Sequence, residues 1–269
     1  MNIAIIGVGN LGLAIAKGIL SSDSLEVDQL YLTKRNTASL DSLATTHKQV
    51  KVTQDNKEAI QAAEVVIFAV QPGQLSNLLW DLKPVLDSDR HTIISTITGK
   101  KIADFESMLG KDFAIIRSMP NTAAAVGQSM TCISGNAKAQ NRLILAEQIL
   151  GTLGHVMVIE EELMQAATVV CASGIAFWMR LIRATTQGAI QLGLDAPEAQ
   201  DMAVQTCLGA ASLLQLGGGH PESEIDRVTT PKGCTIEGLN EMEHQGLSSA
   251  LIKGLVTSFN KIDDIKKSS

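Results

Sequence analysis

The opening residues constrain this chain more than any later stretch. Ile3-Ala4-Ile5-Ile6 is a short apolar run. Gly7-Val8-Gly9-Asn10-Leu11-Gly12 follows it, and then Ala14, Ile15 and Ile19 recur at helical spacing. A strand, a glycine-rich turn and a helix in that order form the context of a dinucleotide site. Gly7 permits the tight turn. Gly9 carries no side chain to block a pyrophosphate, and Gly12 lets the helix pack close to the strand. Unpaired N–H groups and the helix dipole then favour phosphate at that N-terminus. Ile6, Gly7, Val8, Gly9, Asn10, Leu11 and Gly12 are therefore candidate cofactor contacts.

Short apolar runs and helical segments alternate as far as residue 158. Strands are expected at Asn2–Ile6, Gln29–Leu32, Lys51–Val52, Val65–Val70, Thr92–Ser95, Ala114–Ser118, Met130–Ser134 and Val156–Val158. Helices fit between them at Leu11–Ser21, Ala38–His47, Asn56–Ala62, Pro72–Leu86 and Ala139–Leu150. That alternation predicts an α/β fold, a Rossmann-like doubly wound parallel sheet over residues 1–159. Residues 160–269 are expected to form an all-α domain. Its helices read as Leu163–Leu192, Pro197–Leu216 and Thr235–Ile262, the second starting at Asp195 as a capping residue with an early proline. The first is apolar on nearly every face, so something must cover it. A second protomer, as an interlocked dimer, is one reading; burial within a single chain is the other.

Composition narrows the partners. A net charge of −6 argues against nucleic acid, which needs a basic face, and aromatics are too few for base stacking. The apolar stretch Leu163–Met179 is interrupted by Gln165, Thr168 and Ser173, so a buried helix is expected there and no membrane span. Cys132, Cys171, Cys207 and Cys234 form no Cys-x-x-Cys pair, and no histidine sits at metal-ligand spacing, so no metal is expected. Met1-Asn2 leads directly into the first strand; with four reduced thiols, a cytoplasmic protein is expected.

The second strand ends in Thr33-Lys34-Arg35-Asn36. NAD-selective sites place an acid here for the ribose 2′-hydroxyl, and none is present. A hydroxyl and two cations suit a 2′-phosphate, so NADPH is the expected cofactor, with NADH possible. An ordinary solvated basic loop is the competing reading.

The later residues resemble the pyrroline-5-carboxylate reductase family. The resemblance runs through Ile6–Gly12 with Ala16-Lys17-Gly18, Asn56-Lys57-Glu58, Ala69-Val70-Gln71-Pro72 and Met119-Pro120-Asn121-Thr122. In the helical half it includes Ser173-Gly174, Leu208-Gly209-Ala210-Ala211 and, most specifically, Val228-Thr229-Thr230-Pro231-Lys232-Gly233-Cys234-Thr235-Ile236-Glu237-Gly238-Leu239. It implies hydride transfer from NAD(P)H to the C=N bond of a cyclic imine acid, giving L-proline, in a homo-oligomer joined through the helical domain. It implies Asn56 at the adenosine side, and Ala69, Val70, Gln71 and Pro72 along the ribose and pyrophosphate. Thr96, Ile97, Thr98 and the loop Met119–Thr122 would lie near the nicotinamide.

A protonated imine is already electrophilic, so such a site needs chiefly to hold two reactants in register. The N–H groups of Gly233, Cys234 and Thr235 would form an anion site for the substrate carboxylate. The resemblance implies that the Thr235 hydroxyl bonds the ring nitrogen, with Thr230 close by and Glu161 contacting the substrate. Simple helix capping is the alternative role of Thr235. Lys232 stands where the family usually has glycine, Gln71 where lysine is common, and Ile175 where proline is common. Gly217-Gly218-Gly219-His220-Pro221 lacks the usual acid, and Arg227 replaces a smaller residue. Lys232 or Arg227 would add charge that draws in the carboxylate. Reduction of another imine or keto acid, or NADP(H) sensing without turnover, are the other functions compatible with these residues.

Overall fold

A computed structural model describes residues 1–267. It divides the chain into two compact units: Met1–Ala172 with the chain end from Ile262, and Ser173–Lys261.

The first unit is built on one sheet of eight strands: β1 (Asn2–Ile6), β2 (Gln29–Thr33), β3 (Val50–Thr53), β4 (Val65–Phe68), β5 (Thr92–Ser95), β6 (Ala114–Met119), β7 (Ser129–Gly135) and β8 (Gly154–Val158). Its order is β3-β2-β1-β4-β5-β6-β7-β8. Around it run α1 (Asn10–Leu20), α2 (Asp41–Thr46), α3 (Asn56–Ala62), α4 (Leu75–Leu82), α5 (Ile102–Leu109), α6 (Leu143–Gly151) and α7 (Met164–Ala167). Successive residues of a strand point to opposite faces, and here both faces are covered. Ile3, Ile5 and Ile67 enter one apolar layer with Ile15 and Ile149. Ala4, Ile6, Val66 and Phe68 enter the other with Leu79 and Phe105. That double burial is why the strands read as unbroken apolar runs.

The sheet is parallel except at one pair. Met119 lies opposite Cys132 in an antiparallel β6–β7 ladder. Residues 120–128 are too few for a crossover helix, which needs a dozen or more residues. They form the 3₁₀ turn Thr122–Val126, ended by Gly127 at φ +68°, which returns the chain beside β6.

The second unit contains α8 (Gly174–Gln191), α9 (Ala196–Gly217), α10 (Pro221–Val228), α11 (Cys234–His244) and most of α12 (Leu247–Lys267). α8 packs on α9. Asp195 occupies the cap position of α9, but its side chain makes no capping bond. The expected single helix Thr235–Ile262 is two helices, broken where Gly246 takes φ +83°. The expected helix Leu163–Leu192 is interrupted by a π turn, Thr168–Ser173.

Within one chain that segment is buried only in part, at Met164 and Val169 among others. Val170, Trp178 and Met179 are each about 60% exposed. By length and composition Glu161–Gln191 also reaches the range of a membrane-crossing helix, although Arg180 and Arg183 lie within it. Among the described residues from 173 onward, the only buried apolar side chains are those of Ala199 and Ala203. This unit therefore has almost no core of its own.

Candidate active site

The three motif glycines have separate jobs. Gly7 sits at φ +86°, and a Cβ there would lie 2.3 Å from Val70 Cγ1. Gly12 is close-packed, its Cβ position 3.4 Å from the Gly7 carbonyl oxygen and from Ile5 Cγ2. Gly9 is different: a Cβ would meet nothing within 4 Å. Its missing side chain leaves space in an open cleft.

The turn's own N–H groups are already committed. Gly7 N–H donates to Thr33 Oγ1 (3.2 Å), Val8 N–H to the Thr33 carbonyl (2.8 Å) and Gly9 N–H to the Gly7 carbonyl (2.8 Å). The free donors are instead the first-turn amides of α1, beginning with Asn10 and Leu11, because Gly9 caps that helix without a side chain. The glycines make room, and the residues after them offer the hydrogen bonds.

The cleft, about 800 Å³, opens at the carboxyl ends of β1, β2 and β4. There the strand order reverses direction between β1 and β4, the usual place for a ligand in such a sheet. It is lined by Gly7, Val8, Gly9, Thr33, Lys34, Arg35, Asn36, Asn56, Ala69, Val70 and Gln71, all expected from the sequence. Gln54, Gly73, Gln74, Asn77, Leu78 and Asp81 line it too and were not expected. For Gln74 a signal existed: its Oε1 accepts from the Gln71 N–H (3.2 Å), as a residue three positions into a helical turn can. Ile6, Asn10, Leu11, Gly12, Pro72, Thr96, Ile97 and Thr98 are not in its lining. Thr96 and Ile97 are buried, and the Thr96 hydroxyl donates to the Phe68 carbonyl (3.1 Å).

At the β2 end, Thr33 lines the cleft but is only 1% exposed, and its hydroxyl accepts from the Gly7 N–H. Lys34 Nζ donates to Ser39 Oγ (2.8 Å), and Arg35 is exposed with no acidic partner among the described residues. The acids nearby are occupied: Asp55 caps α3, and Asp81 pairs with Lys57 at 2.7 Å. The end of the cleft is thus left with uncompensated positive charge.

The expected substrate residues are dispersed over both units. Glu161 Oε1 accepts from Arg117 Nη1 (3.2 Å) and from the Ile102 N–H at the start of α5 (2.8 Å). One oxygen thus ties a buried arginine to a helix end. Arg227 is likewise committed, to Glu224 at 2.6 Å.

Thr230, Gly233, Cys234 and Thr235 do come together, at the turn that enters α11 and in its first turn. Gly233 N–H donates to the Thr230 carbonyl (2.9 Å), and a Cβ on Gly233 would strike Thr230 Oγ1 at 2.4 Å. Lys232, inside this turn, is the one described non-glycine residue at positive φ (+60°). Gly233 is the cap of α11, so Thr235 is not; its hydroxyl makes no hydrogen bond among the described residues. The capping explanation of Thr235 therefore falls away.

Residues 161–265 match the family described as pyrroline-5-carboxylate reductase dimerisation, and residues 2–99 match NADP oxidoreductase coenzyme F420-dependent. Pyrroline-5-carboxylate reductase 1 of Dictyostelium discoideum is 45% identical over 96% of the chain, which spans 49% of that protein's length. Pyrroline-5-carboxylate reductase 2 of the same organism is 42% identical over 97% of the chain and 91% of its own length. Among solved structures, a pyrroline-5-carboxylate reductase from Coxiella burnetii superposes with a TM-score of 0.91 at 29% identity, covering 98% of this chain and 97% of that one. A Plasmodium falciparum pyrroline carboxylate reductase with NADP bound shares the fold, with a TM-score of 0.85 at 20% identity, covering 99% and 98%. Relatives more than 40% identical over nearly the whole chain, one of them matched over 91% of its own length, place the chain in the pyrroline-5-carboxylate reductase family.

Proposed function

We propose that this protein reduces 1-pyrroline-5-carboxylate to L-proline with NADPH, in a cytoplasmic setting. The carrying observation is the pairing, in one chain, of an open Gly9 turn with uncapped α1 amides and a family-type turn whose Thr235 hydroxyl is unspent. The functional division falls at residues 1–159 for cofactor and 160–269 for substrate and assembly.

The residues present fit a dinucleotide. Gly9 leaves the space a Cβ would fill, and the α1 amides supply donors for a diphosphate. Lys34 and Arg35 offer charge for a 2′-phosphate, with Asn36, Asn56 and Ala69 to Gln71 along the nucleotide. NADPH supplies the hydride. The protein's part is to orient the imine carbon toward it. The N–H groups of Cys234 and Thr235 hold the carboxylate, that of Gly233 being taken by the Thr230 carbonyl, and Thr235 Oγ1 holds the ring nitrogen. Lys232, exposed and unpaired where Arg227 is paired, supplies the attracting charge. Glu161 and Arg117 position the start of α5. A second copy covers the apolar face of Glu161–Gln191, so neither a membrane nor a nucleic acid is needed as partner.

The test is oxidation of NADPH by pyrroline-5-carboxylate with proline as product. NADPH binding without turnover would favour a sensor, and turnover with other imines alone would change the substrate. Thr235→Ala should lower kcat/KM on the order of 100-fold, the loss typical of one transition-state hydrogen bond, with NADPH affinity unchanged. Equal loss of both would make Thr235 a fold residue.

A further inference from the structure

Away from the cleft, the first unit holds two thiols in one small, methionine-rich apolar cluster. Cys132 lies on β7 between Met119 of β6 and Met157 of β8, and is 3% exposed. Cys171 lies in the π turn Thr168–Ser173 and is partly exposed. Both belong to a small apolar cluster with Met119, Met130 and Met164, and the two thiols hydrogen-bond to each other. Cys207 and Cys234 are outside it.

The pair is asymmetric. The bond to Cys171, reinforced by burial, pushes the Cys132 thiol up, so it keeps its proton. The same bond holds Cys171 down to about 7. Cys171 is therefore substantially thiolate at neutral pH, and it is the one that solvent reaches.

Its backbone is wired toward the cofactor helix. Asn121 Nδ2 donates to the Cys171 carbonyl (3.1 Å), while Asn121 Oδ1 accepts from the Ala123 N–H (2.9 Å) at the start of the 3₁₀ turn Thr122–Val126. That turn packs against α1, the helix that follows the glycine turn lining the cleft. A π turn is a local departure from regular helical bonding and recurs at functional sites, so it can shift at lower cost than the flanking helices.

We infer that Cys132 and Cys171 form a reversible disulfide, set by small-molecule disulfides, which displaces Asn121 and weakens cofactor binding. The Cys171 thiolate attacks one sulfur of the small disulfide, whose S–S bond breaks and releases one thiolate. Cys132 then loses its proton to solvent and attacks the Cys171 sulfur of the mixed disulfide, releasing the second thiolate. Two protein thiols become one disulfide, and the oxidant becomes two thiols. Closing the pair to about 2.05 Å draws the π turn toward β7 and pulls the Cys171 carbonyl off Asn121.

The experiment incubates the purified full-length protein with oxidised glutathione. Peptide mapping should find one cross-link, between the Cys132 and Cys171 peptides, two hydrogens lighter than their sum. NADPH affinity should fall about fivefold or more, the lower range of coupling between linked sites, and dithiothreitol should reverse both changes. Cys171→Ala and Cys132→Ala should each abolish the cross-link and keep their NADPH affinity under oxidant. If Cys132→Ala does not fold, Cys171→Ala alone makes the comparison. Three results would overturn the proposal: adducts on Cys207 or Cys234 with no cross-link, a cross-link that leaves NADPH affinity unchanged, or the same loss of affinity in the variants. None of these readouts depends on imine reduction, so failure here and failure of the reductase reading are distinguishable.

Discussion

The sheet of residues 1–158 and the helices beyond residue 172 answer the burial problem in opposite ways. The sheet closes its apolar layers within one chain: Ile3 and Ile5 on one face, Ala4 and Ile6 on the other, all at most 1% exposed. The helices leave Trp178, Met179, Leu208, Leu213 and Leu216 more than half exposed. Each such side chain gains roughly 1.5–3 kcal/mol when covered, so a chain that exposes five in one small unit is built to be covered by something else. The first unit stabilises itself and binds a small molecule. The second is stabilised by what it binds.

Four sets of measurements bear on that contrast. The largest effect is expected at the self-contained end. Gly7→Ala combines a positive φ with a Cβ 2.3 Å from Val70 Cγ1, so it should lower the melting temperature and abolish NADPH binding together. Gly9→Ala should keep the melting temperature and lose affinity alone, since its Cβ meets no protein atom. If both variants melt like the parent, the turn is not packed as described.

Next, Met179→Glu should dissociate the assembly, because a buried unpaired carboxylate costs several kcal/mol. Trp80, 79% exposed on α4, supplies the contrast: Trp80→Glu should leave sedimentation unchanged. Equal behaviour of the two would remove the distinction between the units. Smaller again, Arg35→Ala should weaken NADPH about tenfold or more and NADH little, the worth of one charge-assisted bond to phosphate. Parallel losses for both cofactors would remove Arg35 from the 2′ end.

The smallest effect is a titration inside the first unit. His91 is buried; its Nδ1 accepts from the Asp87 N–H (2.9 Å), and its Nε2 lies 3.1 Å from the Ile60 carbonyl. Burial, opposed in part by the bond to Ile60, lowers its pKa below the ordinary 6.5. The unfolded chain therefore binds the proton more readily than the folded one. The stabilising contribution is complete above about pH 6.5 and is lost as pH falls toward the folded value. Melting temperature should drop as the pH goes from 7 to 5.5, and His91→Gln should flatten that slope.

How much could be read in advance follows from the same contrast. Six of the eight strands were legible because each is a short run largely buried on both faces; β3 and β8, only partly buried, were legible from their valines. α5 went unread although Ile102, Phe105 and Leu109 carry its apolar stripe, and α10 is too polar to show one. The break at Gly246 is masked by the unbroken repeat of Leu247, Leu251 and Leu255 after it. The glycine turn was legible as a local motif. Gln54, Asn77 and Asp81 were not, because only the packing of α3 and α4 brings them to the cleft. The commitments of Thr33, Glu161 and Arg227 also escaped the sequence. A residue type states which bonds a side chain can make, and the fold decides which partner takes them first.

Thr33 carries one more consequence, for how coenzyme choice can evolve. Its hydroxyl and carbonyl receive the N–H groups of Gly7 and Val8, so the end of β2 is fastened to the diphosphate turn. A mutation there alters both ends of the nucleotide grip at once. A lineage drifting from a phosphorylated to an unphosphorylated coenzyme would find that door shut. The open route runs through Lys34 and Arg35, whose replacement touches only the surface.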